Sequence, residues 1–183
     1  MKKYELLVDD TITFLGVQLF RIKALISFSG VEKGEVGGYI ASEKNLSQSG
    51  DAWVYGDARV SGNAEVYGNA EVYGNAEVYG DAWVYGDAWV YGDARVYGNA
   101  EVYGNAEVYG DADYIVFKNT WSSGRYFTYT KSNKNWRVGC FYGSGAELVE
   151  KAYKDSKKSG DFYKAYVDFV EKLEEIENIH KEQ

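Results

Sequence analysis

The chain contains no proline, and only one cysteine, one histidine and one methionine in 183 residues. A lone Cys140 can form neither an internal disulfide nor a multi-thiolate metal site, and this usage fits a reducing cytoplasm. The lone histidine, His180, falls at what reads as a frayed helix end, where a solvated imidazole is not a base tuned by burial and neighbours. Long apolar runs are also missing. The opening MKKYELLVDD has no apolar block after its lysines, and "GVQLFRIKALISF" is interrupted by Arg21 and Lys23, so neither a signal peptide nor a membrane span is expected. Basic residues are scarce in the middle of the chain: residues 50 to 115 hold two basic and twelve acidic side chains, a net of −10 within a total of −8. Direct nucleic-acid binding through that stretch is therefore excluded, because phosphate neutralisation needs clustered Lys and Arg.

What is abundant is one phrase. From Gly50 to Tyr109, ten uninterrupted hexads fit Gly-[Asp/Asn]-Ala-x-Val-[Tyr/Ser], and an eleventh begins as Gly110-Asp111-Ala112-Asp113. A fixed six-residue period is the mark of a solenoid. Ala and Val lie two apart, so an extended strand turns both inward and sends x and Tyr outward. Gly followed by Asp or Asn is corner chemistry. Charge sets the number of hexads per coil, since like charges on coils about 4.8 Å apart repel. Three per coil gives the columns Trp53/Glu71/Trp89/Glu107, Arg59/Glu77/Arg95/Asp113 and Glu65/Trp83/Glu101, with no like charges in contact. Two per coil would stack Glu65 on Glu77, and four would stack Glu77 on Glu101. The expected fold is mainly β: a triangular parallel β-helix of three hexads per coil over residues 50–115, an N-terminal β cap and entering coil over 1–49, and a C-terminal β-hairpin with two helices over 116–183.

The Val and small Ala spacing resembles the hexapeptide-repeat family, whose members form left-handed parallel β-helices and include many acyltransferases, commonly trimers. Left-handedness comes from that resemblance, as does a preference for a homotrimer. "GGYIASEKNLSQSGDAWVYGDARV" at residues 37–60 and the C-terminal "DYIVF...RVGCFYGSGAELVEKAYKD" are similar to uncharacterised bacterial and bacteriophage members described as transferases or polymer-forming proteins.

Acyltransferases of that family use a histidine base and a protruding loop, and the ten hexads supply neither. No catalytic residue, no cofactor and no metal are expected. The Asp and Asn corners resemble calcium-binding solenoids, but those use a nine-residue phrase. The outward faces carry tyrosine ladders, and one of them, with Trp53, Tyr55, Tyr73, Trp89, Tyr91 and Tyr109, is expected to meet a second copy or a partner. Residues 4 to 28 read as two strands around Gly16. After the repeat come strands with a polar turn at Lys131 to Asn135, a helix opened by the capping box Ser144-Gly-Ala-Glu147, and a second helix opened by Ser159 or Asp161. The second helix carries an apolar stripe of Phe162, Tyr166, Phe169, Leu173 and Ile176, expected to pack on the cap or on a neighbouring subunit. "GCFYGSG", with Arg125, Lys131, Lys134 and Arg137 before it, offers a weak phosphate site at a helix start.

The expected function is a non-catalytic, oligomeric, cytoplasmic binding protein, by resemblance of phage or prophage origin. In its specific form it is an anti-defence protein that sequesters a nucleotide signal or occupies a host defence protein, with Trp121, Arg125, Trp136 and Arg137 as the contact residues. The alternatives are a structural, polymer-forming scaffold, a hexapeptide acyltransferase disfavoured by its missing histidine, and an acidic DNA mimic.

Overall fold

Each hexad forms a two-residue strand at its x–Val pair, from Trp53–Val54 to Glu107–Val108. In the computed structural model, which describes residues 1–181, each of the first seven repeat strands pairs in parallel with the one 18 residues on, as in Trp53↔Glu71 and Val90↔Val108. The strands therefore sort into three sheets, one per wall. The inner Ala and Val of all ten hexads are completely buried, forming a column of small apolar side chains. Three hexads per coil is thus the observed closure.

The alternation of charge is realised as bonds. Glu77 accepts from Arg59 Nη1 at 3.0 Å and from Arg95 Nε at 3.3 Å, linking three coils along one wall. The column ends on Asp111, 3.6 Å from Arg95 Nη1, in place of the expected Asp113, because the eleventh hexad does not become a strand. Asp111–Asp113 instead forms a 3-10 turn. Corners carry a second ladder: Asn63, Asn69 and Asn75 donate to Asp81, Asp87 and Asp93 at 2.9 to 3.0 Å. The pattern repeats every two coils. Trp53 and Trp89, Arg59 and Arg95, Glu65 and Glu101, and Glu71 and Glu107 are pairs of identical residues 36 apart.

A parallel coil leaves carbonyls unpaired on its first turn and N–H groups unpaired on its last. The cap at each end has the matching polarity. At the first coil β1 (Tyr4–Phe14), β2 (Val17–Ala24) and β3 (Val36–Ile40) form an antiparallel meander, and β3 joins the wall beside Arg59–Val60. Donors gather there. Asn45 Nδ2 donates to the carbonyls of Gly62 and Ala64, Lys3 Nζ to Gly50 and Ala52, and Arg21 Nη1 to Gly56. Burial pushes the Lys3 ammonium down to about 8, with Asp51 opposing. At the last coil the cap supplies acceptors: Asp111 for Arg95 N–H, Tyr114 Oη for Tyr97 N–H, Asp113 for Tyr109 and Gly110 N–H, and Ser132 Oγ for Glu107 N–H.

The chain divides into two compact units, Met1–Val116 with Thr130–Asn133, and Phe117–Tyr129 with Lys134–Gln183. The C-terminal strands are Tyr114–Lys118, Tyr126–Thr130, Asn135–Val138 and Phe141–Gly143, in that order in one sheet, the last two an antiparallel hairpin. α1 (Gly145–Asp155) opens on the capping box at Ser144. α2 spans Lys157–Lys181, so it begins before the expected Ser159 or Asp161. Ser156 explains the earlier start: its N–H closes α1 on the Ala152 carbonyl, while its side chain and carbonyl accept from Ser159 and Gly160 N–H. Gly160 does not break the helix; a Cβ there would lie 2.1 Å from the Tyr153 ring, so the glycine lets α1 approach α2. Among the described residues no helix is long and apolar enough to cross a membrane.

Candidate functional site

Trp53 corrects the expected aromatic face. It occupies the same position in its hexad as Trp89, yet it is completely buried, with Tyr4 and Phe28 edge-on at 6.0 and 5.4 Å. The N-terminal cap covers that end of the wall. Gly37 is what lets it do so, since a Cβ there would lie 2.5 Å from the Val54 carbonyl oxygen and 2.8 Å from the Trp53 ring. Tyr55 is half-buried against the same core. The rest of the column is accessible: Tyr73 and Tyr91 stack at 5.1 Å and 8°, Tyr109 caps them edge-on, and Trp89 leans on Tyr73 at 6.5 Å with 43% of its surface exposed. Trp89 shares a shallow groove of 450 Å³ with Glu71, Glu107, Asp87 and Asn69. Tyr67 and Tyr85 stack likewise on a second wall, at 4.6 Å. In-register stacking is the main office of these tyrosines.

The four C-terminal residues singled out by sequence do not form one cluster. Trp121 is 65% exposed and lies parallel to Phe162 of α2, 6.0 Å between centroids. Its turn is held by Asn119, which accepts from the N–H groups of Trp121 and Ser122 and donates to Ser122 Oγ. Trp136, by contrast, is a core residue. It is buried against Phe117, Phe127 and Tyr129, with centroids at 6.3, 6.3 and 5.1 Å, and so supports the surface from beneath without forming it. Arg125 runs past the Gly139 turn, and Arg137 is half-buried, with Nη1 3.4 Å from the Phe141 carbonyl oxygen. Arg137 belongs to the hairpin, whereas Arg125 closes the turn that carries Trp121, its carbonyl accepting from the Asn119 N–H.

The helix start after "GCFYGSG" is already filled. Glu147 accepts from the Ser144 N–H and hydroxyl, both at 2.8 Å, and these bonds hold its carboxyl below the usual range. The helix start thus carries a carboxylate of its own, the one the capping box supplies. Gly143 and Gly145 are there for space: a Cβ on either would crowd Glu147, or Val167 and the Trp136 indole.

The apolar site that does form was only partly legible in the sequence. Phe117, Trp121, Phe162, Ala165, Tyr166 and Phe169 line a groove of 330 Å³. α2 packs on its own unit through Gly160, Tyr163, Val167 and Val170, with Tyr166 half-buried against Phe117 and Phe127, while the lower part of the second stripe is turned outward. Phe169 is 52% exposed and Ile176 44%, with Leu173 and Ile179 also exposed. Lower down, Glu174 binds the Tyr129 hydroxyl and Lys134 and ties the helix to the sheet. The fold class is thus a β-solenoid of parallel coils bearing a C-terminal α/β unit with an open aromatic groove. Compared with protein-family models the chain matches none, and no curated protein matches it either.

Proposed function

We propose that this is a non-catalytic binding protein, in which the aromatic face of the C-terminal unit is the contact surface. One observation carries the reading: Trp121 and the α2 side chains Phe169, Leu173 and Ile176 stand in solvent although the same helix has a second, fully used apolar stripe. Contiguous exposed apolar area of that kind marks a surface that is covered in use, and Trp at its centre is the residue type that anchors interfaces. The groove is lined by apolar and aromatic side chains without a cation among them, which favours a protein partner over a nucleotide. The resemblance of residues 37–60 and of the C-terminal segment to phage proteins extends the reading to an anti-defence role, in which the protein partner belongs to the host.

The test is capture of the partner by the full chain and by Trp121→Ala and Phe169→Ser, with calorimetry against a panel of cyclic and linear nucleotides alongside. Loss of the partner in both variants, at unchanged circular dichroism, supports the reading. Binding indifferent to both substitutions, or nucleotide binding that survives them, removes it.

A second reading has the exposed Trp83 and Trp89 in its favour: a scaffold built by contact between solenoid walls. It requires concentration-dependent assemblies in electron microscopy that vanish when both tryptophans become alanine.

A further inference from the structure

We propose that α2 pairs in parallel with the α2 of a second copy of this chain, through a seam whose Phe169, Leu173 and Ile176 stand in solvent and whose Phe162 and Tyr166 are half-buried. The proposal rests on the reading of this face as a contact surface and makes a second copy its occupant, in place of the host protein of the anti-defence reading. Phe162, Phe169 and Ile176 recur every seven residues, and Tyr166, Leu173 and His180 follow each of them by four. That is the alternating three-and-four spacing of the d and a positions of a coiled coil, apolar from residue 162 to 176 with the polar His180 at the next a position. The inward stripe of Tyr163, Val167 and Val170 lies on the adjacent b and e positions, so the helix can keep its intramolecular packing while the seam is engaged.

Charge selects the occupant and its direction. Lys172 falls at a g position and Glu177 at the e position of the next heptad, five residues on, the spacing at which g of one helix meets e of a parallel partner. A second copy presents the same pair in return, giving two reciprocal ion pairs. In an antiparallel pair centred near Leu173 the flanking contacts run g to g, and Lys172 would approach its own copy. Within the chain Lys172 contacts Glu175 and Glu177 contacts Lys181. Such exposed neighbours on one helix contribute only a few tenths of a kcal/mol, so they exchange readily for partners across a helix pair.

Sedimentation equilibrium on the full chain tests this with Leu173→Asp, Lys172→Glu, Glu177→Lys and the Lys172→Glu/Glu177→Lys double variant. Leu173 is exposed, so its substitution leaves the folded monomer intact, which circular dichroism verifies. Self-association is expected in the wild type and weakened about tenfold or more in Leu173→Asp, one anchor side chain of the seam. Each single charge reversal should weaken it about threefold at low salt and the double variant should restore it. Association indifferent to Leu173→Asp, or not restored by the double variant, overturns the parallel pairing. A monomeric wild type that still binds an apolar dye, with binding lost in Leu173→Asp, overturns the second copy but leaves the contact surface standing. A monomer that binds no dye removes both.

Discussion

Lys3 and Asn45 do for the first coil what a preceding coil would do, placing N–H donors on carbonyls that the parallel ladder leaves over. Replacing Asn45 by Ala strips the donor from two carbonyls at a buried edge, and the expected loss is about 1 to 3 kcal/mol, read from the urea midpoint. Asn45→Asp should cost more, since a carboxylate would face the same carbonyl oxygens. Tyrosines give a second prediction at this scale. Burial, with Glu71 and Glu35 nearby, pushes the Tyr55 phenol from 10.0 to about 12, and burial raises Tyr4, Tyr114 and Tyr129 well above the ordinary phenol range. The unfolded chain loses these protons first. Their contribution is therefore complete below pH 10 and falls as pH climbs from 10 through 12, so urea midpoints should drop between pH 9.5 and 11.5 while tyrosinate absorbance at 295 nm lags in the folded form. None of these cap residues was legible beforehand, because a single Lys or Asn in an aperiodic segment carries no spacing that marks it as a substitute for backbone.

The hexad shows its physics at the level of the element. Ala-x-Val fixes which way a strand faces, and the corner needs a residue at positive φ, such as Gly86 at +77° and Gly98 at +68°. The two glycines differ in what surrounds them. A Cβ on Gly86 would lie 2.9 Å from Gly104 N, while one on Gly98 would meet nothing within 4 Å. Gly98→Ala should therefore cost about 1 to 2 kcal/mol from backbone strain alone, and Gly86→Ala measurably more, with the difference between their thermal midpoints isolating the clash. Strand positions and coil size were legible because they recur ten times. Which face α2 turns to its own unit was not legible, for the opposite reason. It carries two apolar stripes, and the choice between them is made by Gly145 and Gly160, small residues remote in sequence or purpose that let Val167 and Tyr153 come close. Trp53 fell outside the pattern in the same way: its hexad is identical to that of Trp89, and only a cap drawn from residues 4, 28 and 37 distinguishes them.

For the whole molecule the relevant repeat is 36 residues, two coils, not six or 18. Deleting residues 68–85 removes one whole coil and keeps the hexad pattern unbroken, yet sets Arg59 over Arg95, Glu65 over Glu101 and Asp51 over Asp87. Like charges would then be stacked on several columns at once. Duplicating residues 68–103 keeps each column alternating, with Trp89 over a new Glu71 and Arg95 over a new Glu77. The shortened chain should melt lower at low salt and recover partly as salt is added, whereas the lengthened chain should melt no lower than the parent. Differential scanning calorimetry at two ionic strengths decides it. The caps bring a further consequence for crowding of many copies. With lysine and asparagine already seated on the first turn, and aspartate, serine and tyrosine oxygens on two walls of the last, the rims are poor templates for a second solenoid, and copies that gather should thicken into bundles sooner than lengthen into cords.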